Sequence, residues 1–236
     1  MKAVILAGGK GTRLVPYTRV FPKSMLPLGD KVILEILLEQ IKRSGIDDVV
    51  LAVGNLAGIM RAFFQDGKNY HLNITYSLES KPLGTAGPLS QIPDLTETFL
   101  VTNGDVLTQL DIGELIRFHK EQKSICTIAM HSRKIHIDLG VIEQKGGNEI
   151  TGYVEKPTIE YKVSMGIYVF EPKTLDYIPS GEYFDFPHLV KKLLEAGEKV
   201  VGYLYTGYWK DLGTPGDYEL ALDDFDKMRA QFTKDK

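Results

Sequence analysis

The chain has 236 residues, 43% of them hydrophobic and 25% charged, with a formal net charge of -3. These values fit a globular chain with a sizeable core and exclude the strongly basic balance of a nucleic-acid binder. No apolar run approaches the roughly 20 residues that span a bilayer, the apolar start is too short for a signal peptide, and the single cysteine, Cys126, cannot form an internal disulfide.

Val4–Ala7 reads as a buried strand that breaks into Gly8-Gly9-Lys10-Gly11-Thr12-Arg13. Glycines let backbone N–H groups approach an anion with no Cβ in the way. Lys10, Arg13, Arg19 and Lys23 follow within a few residues, a concentration of cations that a polyphosphate explains and a neutral substrate does not. Residues 33–43 have helical spacing, a basic last turn and Gly45 just beyond. Asp48–Val53 is a second buried strand, Leu56–Gln65 a helix ended near Gly67, Leu72–Leu78 a strand and Thr85–Gln91 a short helix. Thr98–Thr102 is an apolar strand running into Asn103-Gly104-Asp105. Asp111 reads as an N-cap with Glu114 as its capping-box partner, opening a helix to about Gln122. Strand–helix alternation of this kind implies βαβ units and a mostly parallel sheet. Residues 124–131, 138–143, 149–155 and 164–170 then read as strands with few helices between them, an antiparallel addition that could serve as a lid or substrate shelf. Cys126 lies in an apolar run and reads as a core thiol, in keeping with a reducing, cytoplasmic setting. A helix follows at about 184–195, a strand at 199–206 and a last helix from Pro215, with Thr214 as its cap and Asp217 at N3. From about Ala230 a polar, frayed tail is expected.

The glycine loop is neither of the two commonest nucleotide motifs. Leu14 stands where G-x-G-x-x-G needs its third glycine, and Pro16, Pro22 and Pro27 oppose a helix packed behind the loop. The Walker A spacing is absent as well. Instead, residues 6–14 (LAGGKGTRL) with Phe21-Pro-Lys23-Ser-Met-Leu-Pro27 resemble the start of the sugar nucleotidyltransferases. Glu79-x-x-Pro82-Leu-Gly84-Thr85-Ala-Gly-Pro88, Asn103-Gly-Asp105, Val154-Glu155-Lys156-Pro157, residues 165–170 and Gly207-Tyr-Trp209-Lys-Asp211 follow in that family's order.

The resemblance implies a single α/β domain with a Rossmann-like mixed, mostly parallel sheet flanked by helices and a small antiparallel sugar-binding region. Residues 1–122 would form the NTP half, about 123–214 the sugar-phosphate half and 215–236 a terminal helix and tail. The implied reaction is attack of a sugar 1-phosphate on the α-phosphorus of an NTP. Leu6, Ala7, Gly8, Gly9, Gly11, Thr12, Arg13, Lys23, Glu79, Pro82, Gly84 and Thr85 would bind the NTP, with Arg13 and Lys23 as the catalytic cations. Asn103, Gly140, Glu155, Lys156 and Trp209 would bind the sugar phosphate. Asp105 and Asp211 would hold Mg2+. Tyr208 and Trp209 either wall the site or pack in the core, and His71, His119, His131, His136 and His188 show no metal-ligand spacing. Residues 79–88 look most like the mannose-1-phosphate guanylyltransferase branch, where a carboxylate can accept from two adjacent guanine donors. UTP or dTTP with glucose 1-phosphate is the alternative within the class, and a non-catalytic nucleotide-sugar-binding regulatory subunit the alternative outside it. The expected partners are thus an NTP and a sugar 1-phosphate in the cytoplasm, with a homo-oligomer left open and neither nucleic acid nor membrane involved.

Overall fold

The computed structural model describes residues 1–232. In chain order its elements are β1 (Lys2–Ala7), β2 (Pro27–Leu28), β3 (Lys31–Val32), α1 (Ile33–Arg43), β4 (Asp48–Val53), α2 (Ala57–Phe64), β5 (Asn73–Leu78), β6 (Phe99–Asn103), β7 (Val106–Thr108), α3 (Ile112–Gln122), β8 (Cys126–His136), β9 (Val141–Gln144), β10 (Ile150–Val154), β11 (Thr158–Phe170), α4 (Phe186–Glu195), β12 (Val200–Tyr205), β13 (Trp209–Asp211) and α5 (Pro215–Phe232).

One seven-stranded sheet organises the molecule, in the order β12-β8-β11-β6-β1-β4-β5. Only β11 runs antiparallel to its neighbours, β6 and β8; the other pairings are parallel. This is the mixed, mostly parallel sheet expected. Period-2 alternation builds its two layers. Ala3, Ile5 and Ala7 of β1 pack with α1, α2 and α3 on one face. Val4 of the same strand faces the other layer, with Ala86, Leu89 and the α4 residues Phe186, Leu189 and Leu193. Central strands buried on both faces need apolar side chains throughout, and Ala3, Val4 and Ile5 are each 0% exposed. The α5 residues Ala221 and Phe225 cover Ile33 and Ile36 of α1, making a third cluster.

Several elements depart from expectation. Thr85–Gln91 is not a helix from its first residue: a 3-10 segment begins at Gly87, because Gly84 turns with φ +79° and the Thr85 N–H is spent on Asp185. Asp111 caps α3 by accepting from the Glu114 N–H at 3.0 Å, while the Glu114 carboxylate accepts instead from Tyr203 Oη at 3.5 Å. Strands β8 and β11 are longer than expected, and their paired ends, His136 against Thr158, project past the sheet. There they carry the separate β9–β10 ribbon. Helix α5 reaches Phe232, which is fully buried; the rest of the expected frayed tail, residues 233–236, lies outside the described residues. Among the described residues no helix is long and apolar enough to cross a membrane.

Candidate active site

Strand β1 lies between β4 and β6, and the chain returns from β5 to β6 on its other side. Such a reversal opens a crevice at the carboxyl ends of the strands. A cleft of about 660 Å³ lies there. Leu6, Ala7, Gly8, Gly9, Lys10, Gly11, Thr12, Arg13 and Lys23 line it, as do Glu79, Pro82, Gly84, Thr85, Asn103 and Asp105. All twelve residues expected to contact the NTP therefore share one cavity. Arg19 is not among the lining residues.

The loop after β1 is shaped by its own chain. The Gly11 carbonyl accepts from Leu14 N–H at 2.9 Å and from the buried Thr18 hydroxyl at 2.7 Å. Gly11 has φ +60°, which glycine alone adopts without strain. Among the described residues, no hydrogen bond within the protein uses the N–H groups of Gly9, Lys10 or Gly11, leaving these donors for a ligand. The prolines at 16 and 22 break the following segment into short 3-10 turns, the last of which (Lys23–Met25) delivers Lys23.

Asp105 and Asp211, 106 positions apart in sequence, are brought together by the antiparallel β7–β13 ladder, with Asp211 opposite Val106. The Leu212 N–H donates to the Asp105 carbonyl at 3.2 Å. The Lys23 ammonium contacts Asp105 Oδ2 and lies 3.9 Å from Asp211 Oδ1. A Cβ placed on Gly213 would meet Arg13 Nη2 and Asp211 Oδ2, each at 3.3 Å, so the guanidinium joins the same cluster. Burial and then the Asp105 charge push the Asp211 carboxyl above its ordinary range, against the pull of Lys23 and Arg13. Two hard carboxylates that repel each other beside a loop of unspent N–H groups suit a hard divalent cation. Among the described residues no group of three or more His, Cys, Asp or Glu converges on one point, so water and phosphate oxygens would have to complete its shell.

Glu79 enters from the end of β5. Its Oε2 accepts from Leu83 N–H at 3.1 Å, while Oε1 faces Gly8, where a Cβ would stand only 2.5 Å away. Burial raises the Glu79 pKa, opposed by the Leu83 hydrogen bond.

The residues expected to bind the sugar phosphate divide. Asn103 lines the cleft, but Gly140, Glu155, Lys156 and Trp209 do not. Gly140 packs under the Tyr153 ring, Tyr153 Oη donates to Glu155 Oε2 at 2.9 Å, and Lys156 lies 3.4 Å from Asp138. These groups sit together on the β9–β10 ribbon, at the sheet edge that also carries the cleft. Trp209 donates to the Met165 carbonyl at 3.1 Å and packs on His131, while Tyr208 donates to Asp224 at 2.9 Å. Cys126 is fully buried, and burial pushes its thiol up to about 12, as fits a core residue. Sequence reasoning missed Lys81, Tyr183 and Asp185, which also line the cleft. Lys81 could have been found from its place near Glu79; the other two are about 100 positions from Thr85, which Asp185 bonds, and carry no local signal.

The comparisons agree with this geometry. The family model described as nucleotidyl transferase matches residues 2–227. A UTP--glucose-1-phosphate uridylyltransferase from Synechocystis is 35% identical over 94% of this chain. A mannose-1-phosphate guanylyltransferase from Mycobacterium tuberculosis is also 35% identical, over 92% of the chain. The chain spans about 62% of the length of each of these two relatives. A Bacillus anthracis structure assigned as a glucose-1-phosphate thymidylyltransferase, in complex with a sucrose, superposes with a TM-score of 0.77 at 26% identity, covering 94% of each chain. With its central sheet, its glycine loop and its sequence matched over nearly their whole extent, the chain belongs to the nucleotidyl transferase family.

Proposed function

We propose that the chain transfers a nucleotidyl group from a nucleoside triphosphate to a sugar 1-phosphate and releases pyrophosphate. The observation that carries this reading is the convergence of unspent loop N–H groups, Arg13, Lys23 and Asp105 in one cleft, with Asp211 3.9 Å from the Lys23 ammonium. The nucleophile is already an anionic phosphate oxygen, so the reaction needs positioning and charge neutralisation more than a general base. The N–H groups of Gly9, Lys10 and Gly11 hold the triphosphate. The planar Arg13 fork stabilises negative charge on the departing pyrophosphate. Lys23 neutralises the phosphates near the reacting phosphorus. Asp105 and Asp211 would hold Mg2+, which when bound draws the phosphate oxygens together and screens their charge. Glu155 and Lys156, with Gly140, receive the sugar phosphate from the ribbon, while Asn103 meets it from the cleft wall.

We infer GTP and mannose 1-phosphate as the leading pair, since an ionised Glu79 can accept from the adjacent N1–H and N2–H2 donors of guanine. One observation favours a second reading: Glu79 Oε2 already accepts from Leu83, and the remaining oxygen suits the single N3–H of uracil or thymine. Relatives bearing both kinds of name are 35% identical to the chain. The deciding experiment is a pyrophosphate-release panel with Mg2+, five NTPs and the 1-phosphates of mannose, glucose, heptose and N-acetylhexosamine. Turnover with GTP supports the leading pair, and turnover confined to UTP or dTTP replaces it. Silence across the whole panel would overturn the catalytic reading.

A further inference from the structure

We propose that Asp185 is a positioning residue for the reaction, fixing the wall of the nucleotide half of the cleft from the N-cap of α4. This inference rests on the nucleotidyl-transfer reading above. Asp185 occupies the N-cap position of α4, where an aspartate ordinarily accepts from its own helix. It makes no such bond. Its Oδ1 instead accepts from Thr85 N–H at 2.8 Å and from Thr85 Oγ1 at 3.1 Å. The Thr85 hydroxyl oxygen in return accepts from Phe186 N–H at 2.9 Å. Helix and loop thus exchange caps across 100 positions of sequence.

The exchange is embedded in a wider lattice of bonds. Ala86 N–H and Gly87 N–H donate to the Phe184 carbonyl at 2.9 and 2.8 Å, and Phe184 N–H donates to the Leu83 carbonyl at 2.8 Å. Leu83 N–H in turn donates to Glu79. A continuous path of hydrogen bonds therefore links the α4 cap to the carboxylate we assign to the base. Gly84 leaves no slack in it, since a Cβ there would stand 2.7 Å from both Asp185 Oδ1 and the Phe184 carbonyl. The second carboxylate oxygen, Oδ2, accepts from Tyr183 Oη at 2.6 Å, and Tyr183 and Asp185 both line the cleft. An aspartate whose local role is given over to another segment's threonine is placed to set that segment's geometry.

The test is the affinity of GTP, UTP and dTTP, each with Mg2+, measured by titration calorimetry on the wild-type chain and on Asp185→Ala, Asp185→Asn and Thr85→Val. For the NTP that the wild type binds most tightly, Asp185→Ala is expected to weaken affinity about tenfold, the loss that goes with one charge-assisted hydrogen bond. Asp185→Asn keeps an acceptor for Thr85 and should stay within about threefold of the wild type. The KM of the sugar 1-phosphate should move less than twofold in both, a split that a general loss of structure would not produce. Asp185→Ala with wild-type NTP affinity, or with both substrates weakened equally, overturns the proposal. A wild-type chain that binds none of the three NTPs overturns the functional reading, and this inference falls with it.

Discussion

Replacing Lys23 by Met removes one ammonium from between two carboxylates. Its Nζ contacts Asp105 Oδ2 and lies 3.9 Å from Asp211, and the Lys23 and Asp105 side chains are only 14% and 21% exposed. Breaking a fully buried pair costs about 3–5 kcal/mol, and breaking an exposed one about 0–1. This pair lies nearer the buried limit, which gives a loss of about 2–3 kcal/mol. For a chain of this size that is a fall in unfolding temperature of about 4–12 °C. Most of the loss comes from the charge left behind, so Lys23→Met with Asp105→Asn should recover at least half of it. Acidification toward pH 4 should also narrow the gap between Lys23→Met and the wild type, because protonating one carboxylate relieves the repulsion. Thermal and urea unfolding of the wild type, both single variants and the double variant measure these differences as a cycle. A Lys23→Met chain within 0.5 kcal/mol of the wild type, or strictly additive single effects, would refute the reasoning.

Three further outcomes are expected. His119 is fully buried and held below the usual histidine range by burial, against the pull of Glu171. The unfolded chain therefore takes up the proton first, so its stabilisation is complete above about pH 6.5 and is lost as pH falls through the folded value; urea midpoints at pH 7.5 and 5.5 should differ less in His119→Asn than in the wild type, and equal differences would count against the assignment. Gly11→Ala puts a Cβ 2.7 Å from Thr18 Cγ2 at φ +60°, costing about 1–2 kcal/mol for the left-handed backbone alone and weakening NTP binding; adding Thr18→Ser removes the methyl but keeps the hydroxyl on the Gly11 carbonyl, so calorimetry and unfolding should show partial recovery. Lys156→Ala breaks only an exposed pair with Asp138, with side chains 55% and 82% exposed, so it should shift the unfolding temperature by less than about 4 °C while lowering kcat/KM for the sugar 1-phosphate at least about 100-fold. Steady-state kinetics at saturating NTP would detect an unchanged value and remove Lys156 from the site.

Much of the fold was legible because its signals are local. The 3.6-residue spacing of residues 33–43 and their basic last turn give the bounds of α1 that the structure has, and Thr214 caps α5 through the Asp217 N–H as expected. The place of the glycine loop after β1 was legible for the same reason, since it is written in consecutive residues. Contacts made by short segments far apart were not. The ladder joining Asp105 to Asp211 pairs strands of three residues each, too short for any period to register. Asp185 falls inside the helix expected over about 184–195, and only the fold reveals that it precedes the helix and that its oxygen is engaged by Thr85. The ribbon strands were visible, but their separation from the main sheet depends on how far β8 and β11 extend beyond their neighbours, which alternation alone does not fix.

That separation has a consequence for how such a chain can change. Ribbon β9–β10 hydrogen-bonds only to itself as a sheet and shares no ladder with the seven central strands. Its exposed Leu139, Ile142, Ile150 and Tyr153 contribute nothing to the three buried clusters. Substitution, lengthening or exchange of residues 138–156 is therefore thermodynamically quiet, whereas the same freedom in the loop after β1 would disturb a central strand paired on both sides. On the proposed reading, a scaffold divided in this way can try new acceptors by mutation or grafting while the loop assigned to the triphosphate is held constant.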